Sequence, residues 1–549
     1  MPSAAVLGPV VLPLIASGVI AAFGLARIDL GRPVAAVGAW SSVLALGVVW
    51  LTLRSSLELA LGQLGYGSAF DLRIDAVTFA FGLMISIPTA VLLSLQPRAW
   101  PDSVLAMLGL TSAMAALEAG GVVLTAIAGG TAATLAMVLL DTEDPRAPRP
   151  SWGLLLAGWL ALAWLGVIFQ VSGGTAVYAA VPVTAVSVSA FALLAVAAVL
   201  ASCLFPWRTW PAQLWSRPSL RSAGVVTATL YPLGFYLLVR GYELGGGRYP
   251  HAAFNVALAV IGAATALGAG ARAQAAATRR EFLGEVISGF GGFALIAISL
   301  GTPLGLAAGI VLLATAAAFV ACLALLPDRT GIGSLLAVAA AVGLPPGISF
   351  GGRVIGIEAT FEAGDLLGLI GIAGAAVWAV WMVGAARAIG LPGGRGHPAN
   401  ETFPRVAMAI ALATLIAGPA LALFQLGFAS PVVAEVMPQS GIGVGGGVTS
   451  LVTVSSVLPV VSLLTPLLLI GVGIYLLSGS SAVRTQARPA IFALPTAGVE
   501  RVRAAIATAA IPEQYRSILD LRELEAAAVG GRPVLWLAAV IALAFAVTR

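Results

Sequence analysis

An all-α polytopic membrane protein is the fold class this sequence predicts, and three observations predict it. Hydrophobic residues make up 60% of the 549 residues, charged residues 9%, and mean hydropathy is +1.03, a balance that a water-soluble chain of this length does not carry. The apolar residues fall into runs of spanning length, and at about 20 residues per span the chain has room for roughly 14 spans. The breaks between runs are short, so no sizeable soluble domain fits. The expected surroundings are lipid bilayer and other protein, with no nucleic acid. Chemistry that needs a soluble cofactor pocket must sit on another chain, and no cofactor is expected here. Cys203 and Cys322 both lie inside apolar runs, where they read as core residues. Four cysteines usually hold an iron–sulfur cluster, so this chain is not expected to hold one.

Each element follows in order. The N-terminus, MPSAAVLGPVVLPL, has no basic leader and no cleavage site, and reads as part of the first spanning helix. Spans are expected at about 5–26, 34–53, 76–95, 103–117, 120–140, 151–171 and 184–206, each bounded by Arg, Asp, Pro or Gly. Between the second and third, SSLELALGQLGYGSAFDLRID is the longest polar loop of this half. At its end, Asp75 stands where a carboxylate caps a helix N-terminus and favours its exposed amides. At Phe205 and Pro206 an apolar helix ends, and a Trp- and Pro-rich turn containing Trp210 follows. Pro218 then opens a second apolar run with Pro232 in its middle, so this stretch reads as a broken helix. Irregular backbone at membrane depth is tolerated only where protein buries it or water reaches it, which is why such breaks mark ion or substrate paths.

Further spans are expected at 219–239, 252–273, 282–300 and 303–326. A second break comes at Gly343-Leu344-Pro345-Pro346, and spans follow at 366–388, 405–428 and 455–477. Residues 497–528 carry charges on one face and apolar side chains on the other, divided by Pro512. They read as two interfacial helices before a last span at 533–548. The chain thus divides into N-terminal helices and loop (1–110), a core holding both breaks, near 205–220 and 343–353 (111–395), and a C-terminal part (396–549).

The text FPWRTWPAQLWSRPSLRSAGVVTATLYPLGFYLLVR, residues 205–240, resembles the signature of the antiporter-like membrane subunits. These are shared by respiratory complex I, formate hydrogenlyase and related membrane hydrogenases, and multisubunit cation/proton antiporters. Ser202, Phe205, Pro206, Thr209, Trp210, Pro218, Ser222, Ala223, Gly234, Tyr236 and Arg240 stand in register with it. DLRIDAVTFAFGLM resembles the family's entry to its third helix, with Asp75 at the family's aspartate. AVGLPPGISFGGR resembles the segment at the family's second break, with Arg353 at its lysine. The resemblance covers roughly residues 60–395. It implies two inverted repeats with two broken helices, other membrane subunits and a peripheral redox module as partners, and a place in a bacterial inner membrane. The chain itself would be a non-catalytic subunit of an oxidoreductase complex. The alternatives are the membrane half of an inorganic-carbon uptake system and a freestanding cation/proton transporter.

Pumping members of that family are thought to move protons through buried glutamate, lysine and histidine residues. A relay needs groups that gain and lose a proton near neutrality while held away from bulk water. Here every basic residue other than histidine is an arginine, which does not release its proton in a protein. By register the family's glutamate falls at Gly130, its seventh-helix lysine at Ala201, its eighth-helix histidine at Val226, and a later histidine and lysine at Ala316 and Val320. His251 and His397 stand at helix ends and read as surface residues.

Two readings remain for the groups that are left. Arg353, Glu358, Glu362 and Asp365 could form a residual half-channel in which the carboxylates carry protons. Equally, RVIGIEATFEAGD could be a surface segment with Glu358 and Glu362 facing water as an i, i+4 pair. Arg280 and Glu285, with Arg279 and Glu281, read as an interfacial charge cluster or as part of a path. The expectation is a degenerate pump module, partly structural.

Overall fold

The computed structural model describes residues 2–53, 56–64, 68–143, 152–205, 214–215, 220–326, 332–391, 404–418 and 425–440. The chain is a multi-pass membrane protein, with eleven described helices long and apolar enough to cross a bilayer. The expected spans at 455–477 and 533–548, the interfacial segment 497–528, Pro206, Trp210, Pro218 and His397 lie outside the described residues.

The helices are α1 (Gly8–Leu25), α2 (Gly31–Leu53), α3 (Ala76–Leu95), α4 (Trp100–Glu118), α5 (Val122–Glu143), α6 (Trp152–Gly173), α7 (Val188–Ala201), α8 (Arg221–Leu244), α9 (Ala252–Ala275), α10 (Arg279–Ile298), α11 (Pro303–Leu325), α12 (Ile332–Val342), α13 (Ile348–Glu362), α14 (Asp365–Ile389), α15 (Pro404–Ile416) and α16 (Ser430–Val436). Their starts follow from residue chemistry. Asp75, Ser187, Thr278 and Thr302 each accept a hydrogen bond from a first-turn amide of α3, α7, α10 and α11, which satisfies a donor that the helix itself cannot. His251 does the same for α9, Nδ1 accepting from the Ala253 amide at 3.1 Å, and it is exposed.

Depth separates two classes of helix. Over its most apolar stretch α8 is 100% buried, whereas α1, α2 and α9 are 33% buried. A helix apolar all round is stable either inside protein or against lipid, and here the first case forms a pillar while the second forms a rim. Around α8 pack α3, α4, α5, α7 and α11. Leu14, Ile15, Leu25, Val37, Leu44 and Leu51 of α1 and α2 stay exposed.

Two features differ from the sequence expectation, and one that a proline could have disturbed does not. The polar loop before α3 is a β-hairpin: β1 (Leu57–Leu64) pairs antiparallel with β2 (Ser68–Ile74). Leu57, Leu59, Leu72 and Ile74 alternate with polar residues at the strand period of two. The expected span 219–239 is a single helix, α8, which runs unbroken through Pro232 from Arg221 to Leu244; tight packing on every side holds the turn that the proline weakens. The expected span 405–428 is not one helix: α15 ends at Ile416, and a π-helical turn at Gln425–Ala429 leads into α16.

Both expected breaks are present. α7 stops at Ala201 and α8 starts at Arg221; at the edge of the gap Phe205 is 41% exposed, and its amide donates to Thr265 Oγ1 at 2.9 Å. α12 stops at Val342 and α13 starts at Ile348. Pro345 and Pro346 fill that turn, together with Gly343, whose φ of +74° lies in the left-handed region that glycine enters without steric cost.

Candidate functional site

The densest cluster of charge sits where the hairpin meets the pillar. Asp75 is fully buried at the head of α3, and its carboxylate accepts from the Thr78 amide at 2.8 Å and from Arg240 Nη1 and Nη2 at 2.7 and 3.1 Å. Arg240, one turn from the end of α8, also donates to Glu243 Oε2 at 2.6 Å, to the Tyr236 hydroxyl at 3.0 Å and to Thr78 Oγ1 at 3.1 Å. Its guanidinium lies over the Tyr236 and Tyr178 rings, 5.1 and 5.7 Å from their centroids. From β2, Arg73 reaches Asp75 at 3.0 Å, Glu243 at 2.6 Å and Glu435 of α16 at 2.6 Å. Two arginines and three carboxylates thereby join β2, α3, α8 and α16.

Burial pushes the Asp75 carboxyl up, but Arg240 and Arg73 beside it, with the hydrogen bonds from Arg240 and Thr78, outweigh that and hold it below its ordinary value. Arginine does not release its proton, so Arg73 and Arg240 stand here as fixed charges that clasp the carboxylates together. A second anchor lies at the other end of α8. Buried Arg98, before α4, donates to Ser222 Oγ at 3.2 Å and to the Arg221 carbonyl, and the Ser222 amide donates to Glu143 at 2.9 Å.

At the second break Arg353 is 2% exposed. Nη2 donates to the Ala341 carbonyl at 2.9 Å, and the guanidinium carbon lies 5.1, 5.0 and 5.7 Å from the ring centroids of Phe290, Phe293 and Trp378. Nε and Nη1 find no hydrogen-bond partner among the described residues. Attraction to three aromatic faces partly offsets the cost of burying this charge. Further along α13, Glu358 is half-buried and Glu362 exposed, and Asp365 opens α14. The half-channel reading therefore has its arginine in an aromatic cage, with the two glutamates nearer the surface end of the helix.

The other predicted charges are placed separately. Glu285 accepts a two-pronged hydrogen bond from Arg272 of α9, Nε to Oε1 at 2.7 Å and Nη2 to Oε2 at 2.6 Å. Arg280 is half-buried at the start of α10. Its neighbour Arg279 is buried and donates to the Ala388 and Ile389 carbonyls at 3.0 and 2.6 Å, satisfying the carbonyl end of α14. At the relay positions implied by the resemblance, Ala201, Val226, Ala316 and Val320 are buried among apolar side chains. Gly130 packs beside Trp159, whose ring lies against Gly129 so closely that a Cβ there would come within 2.4 Å of it. Among the described residues no group of three or more His, Cys, Asp or Glu could hold a metal ion.

The sequence places Asp75 and Arg240 in separate motifs but does not pair them; Glu243 and Glu435 carry no signal beyond being acids at helix ends. No protein-family profile and no curated protein matches the sequence. Solved structures do. A chain of the Mrp complex from Dietzia sp. DQ12-45-1b is similar over 95% of this chain at 18% identity with a TM-score of 0.71, and this chain spans 62% of that one. A chain of respiratory complex I from Thermus thermophilus with bound NADH is similar over 81% of this chain and 100% of its own length, at 19% identity and a TM-score of 0.64. A chain of the membrane-bound sulfane sulfur reductase, an archaeal respiratory membrane complex, is similar over 75% of both chains, at 18% identity and a TM-score of 0.61. The chain has the fold of the antiporter-like membrane subunits.

Proposed function

We propose that this chain is an antiporter-like membrane subunit of a multisubunit, complex I-like or membrane-hydrogenase-like assembly, holding no redox centre of its own. Its proton path is degenerate and its role partly structural. One observation carries the reading: the fold keeps both helix breaks, yet the positions where a relay would stand, Gly130, Ala201, Val226, Ala316 and Val320, hold no ionisable side chain. Its strongest buried charges are spent on clasping the helix bundle. The similar chains belong, by their names, to an Mrp complex and to two respiratory complexes, which supports neighbouring membrane subunits as partners. A peripheral redox module and a bacterial inner membrane belong to the same reading. Any remaining ion path runs by Glu358 and Glu362, past Arg353.

The test is to isolate the chain from native membranes in mild detergent and identify its companions by mass spectrometry. Membrane subunits together with a chain bearing iron–sulfur, flavin or nickel sites are expected. A chain that emerges alone and intact overturns the reading. In the intact assembly, joint Glu358→Ala and Glu362→Ala substitution then separates conduction from scaffold: unchanged ion flux leaves this chain purely structural.

A further inference from the structure

We propose that Glu118, at the turn between α4 and α5, is a proton-binding site that exchanges with water through Asp71. The proposal stands independently of the assembly reading. Glu118 is the last residue of α4 and is 0% exposed. Neither carboxyl oxygen has a hydrogen-bond partner among the described residues.

The charges around this end of α4 are already engaged. Arg240 on α8 is committed to Asp75, Glu243, Tyr236 and Thr78, and Arg73 on β2 to Asp75, Glu243 and Glu435. Tyr236 and Thr78 both donate to the carbonyl of Leu117, at 2.8 and 3.1 Å. The backbone beside Glu118 is therefore tied to the clasp, while its side chain is left out of it. A carboxylate buried without a cation or a donor is far costlier than the neutral acid.

Asp71 supplies the route. β2 runs beside the turn: Leu72 bridges Ala119, and the Gly120 amide donates to the Asp71 carbonyl at 3.0 Å. The Asp71 carboxyl lies against Gly120 so closely that a Cβ there would sit 2.5 Å from Oδ2. Asp71 is half-buried, and its Oδ1 is enclosed with no partner among the described residues. Burial pushes its carboxyl up and nearby Glu58 adds to that, against its own backbone hydrogen bond and Arg73. Asp71 and Glu118 thus flank the same turn, the aspartate half-buried on β2 and the glutamate fully buried at the end of α4. A hydronium ion gives its proton to the Asp71 carboxylate and becomes water; Asp71 passes that proton to the Glu118 carboxylate and is ionised again. One proton moves from water to Glu118, and nothing else changes.

The experiment is infrared spectroscopy of the purified full chain in lipid at neutral pH, comparing wild type with Glu118→Gln and Asp71→Asn. A carboxylic-acid carbonyl band present in wild type and missing from Glu118→Gln is expected. Asp71→Asn keeps the band but slows its deuterium shift on transfer to heavy water by about tenfold or more, as loss of a positioned proton donor does. Coincident wild-type and Glu118→Gln spectra in the acid carbonyl region overturn the site, and an unchanged exchange rate in Asp71→Asn overturns the route. Glu118→Met, which fills the space without a polar group, is expected to keep the unfolding temperature. A fall in that temperature for both Glu118 variants would mean the carboxylate serves a structural contact, and overturns the proposal.

Discussion

Replacing Asp75 by asparagine removes one charge from the clasp and leaves its shape. The side chain is fully buried, so water does not screen the loss. Arg240 keeps Glu243, and Arg73 keeps Glu243 and Glu435, but both lose the carboxylate between them. Removing one partner of a buried ion pair costs about 3–5 kcal/mol where the other charge is left bare; here both arginines keep glutamates, so the cost falls at the lower end of that range. Asp75→Ala adds about 1 kcal/mol for the lost cap on α3. The assay is equilibrium unfolding in mixed micelles, followed by helix content, for wild type, Asp75→Asn, Arg240→Met and the double variant. The double variant should fall short of the summed single losses by about 0.5–3 kcal/mol, the range for residues sharing a network. The pH dependence follows from the sign of the shift. Asp75 is held below its ordinary value, so its contribution is complete above an unfolded value of about 3.9 and is lost only as pH falls through the lower folded one. The cost of Asp75→Asn should therefore be the same at neutral and mildly acid pH, and shrink only in strong acid. A cost under about 1 kcal/mol, typical of an exposed pair, or strict additivity in the cycle, would refute the reasoning.

Other outcomes follow from the packing. Gly129→Ala should lower stability by about 1–3 kcal/mol through overpacking against Trp159, while Gly130→Ala, whose Cβ would meet that residue at 3.6 Å, should be nearly neutral; thermal unfolding of the two variants separates them. Gly343→Ala should cost about 1–2 kcal/mol for the left-handed backbone alone, and more because the new Cβ would lie 2.3 Å from Arg353 Nη1; the same melts measure it. Arg353→Met, which keeps much of the volume and removes a buried charge without an acid partner, should unfold no lower than wild type, whereas Arg353→Ala leaves a cavity and should lose about 2–4 kcal/mol. Asp71 has its carboxyl raised, so the folded state loses stability as pH rises from about 4 through that higher value. Asp71→Asn should then match wild type in acid and exceed it at neutral pH in unfolding titrations.

Composition and punctuation made most of the fold legible. Runs of apolar residues of bilayer length have one stable outcome in lipid, since a helix satisfies its own backbone hydrogen bonds, and the spans expected from 5–26 to 303–326 match helices found there. Gly343-Leu344-Pro345-Pro346 announced the second break because two adjacent prolines after a glycine remove successive backbone donors, which a helix tolerates far less well than one isolated proline. The hairpin was less legible: its alternation is short, and a strand becomes identifiable only with its partner.

The charged residues mark the boundary most clearly. From its place before an apolar run, Asp75 could be read as a helix cap, and it is one. That it also meets Arg240, 165 positions away, and through Arg73 reaches Glu435, depends on where α8 and α16 pass the hairpin. Glu118 shows the converse: nothing in LEAGG says whether its carboxyl faces water or the interior, and only the packing of α4 encloses it. The sequence by itself determined which segments enter the membrane, because transfer from water to lipid is a property of each segment. Which charges share a pocket was decided by the tertiary structure, because electrostatic energy depends on separations and burial that arise only when distant helices meet.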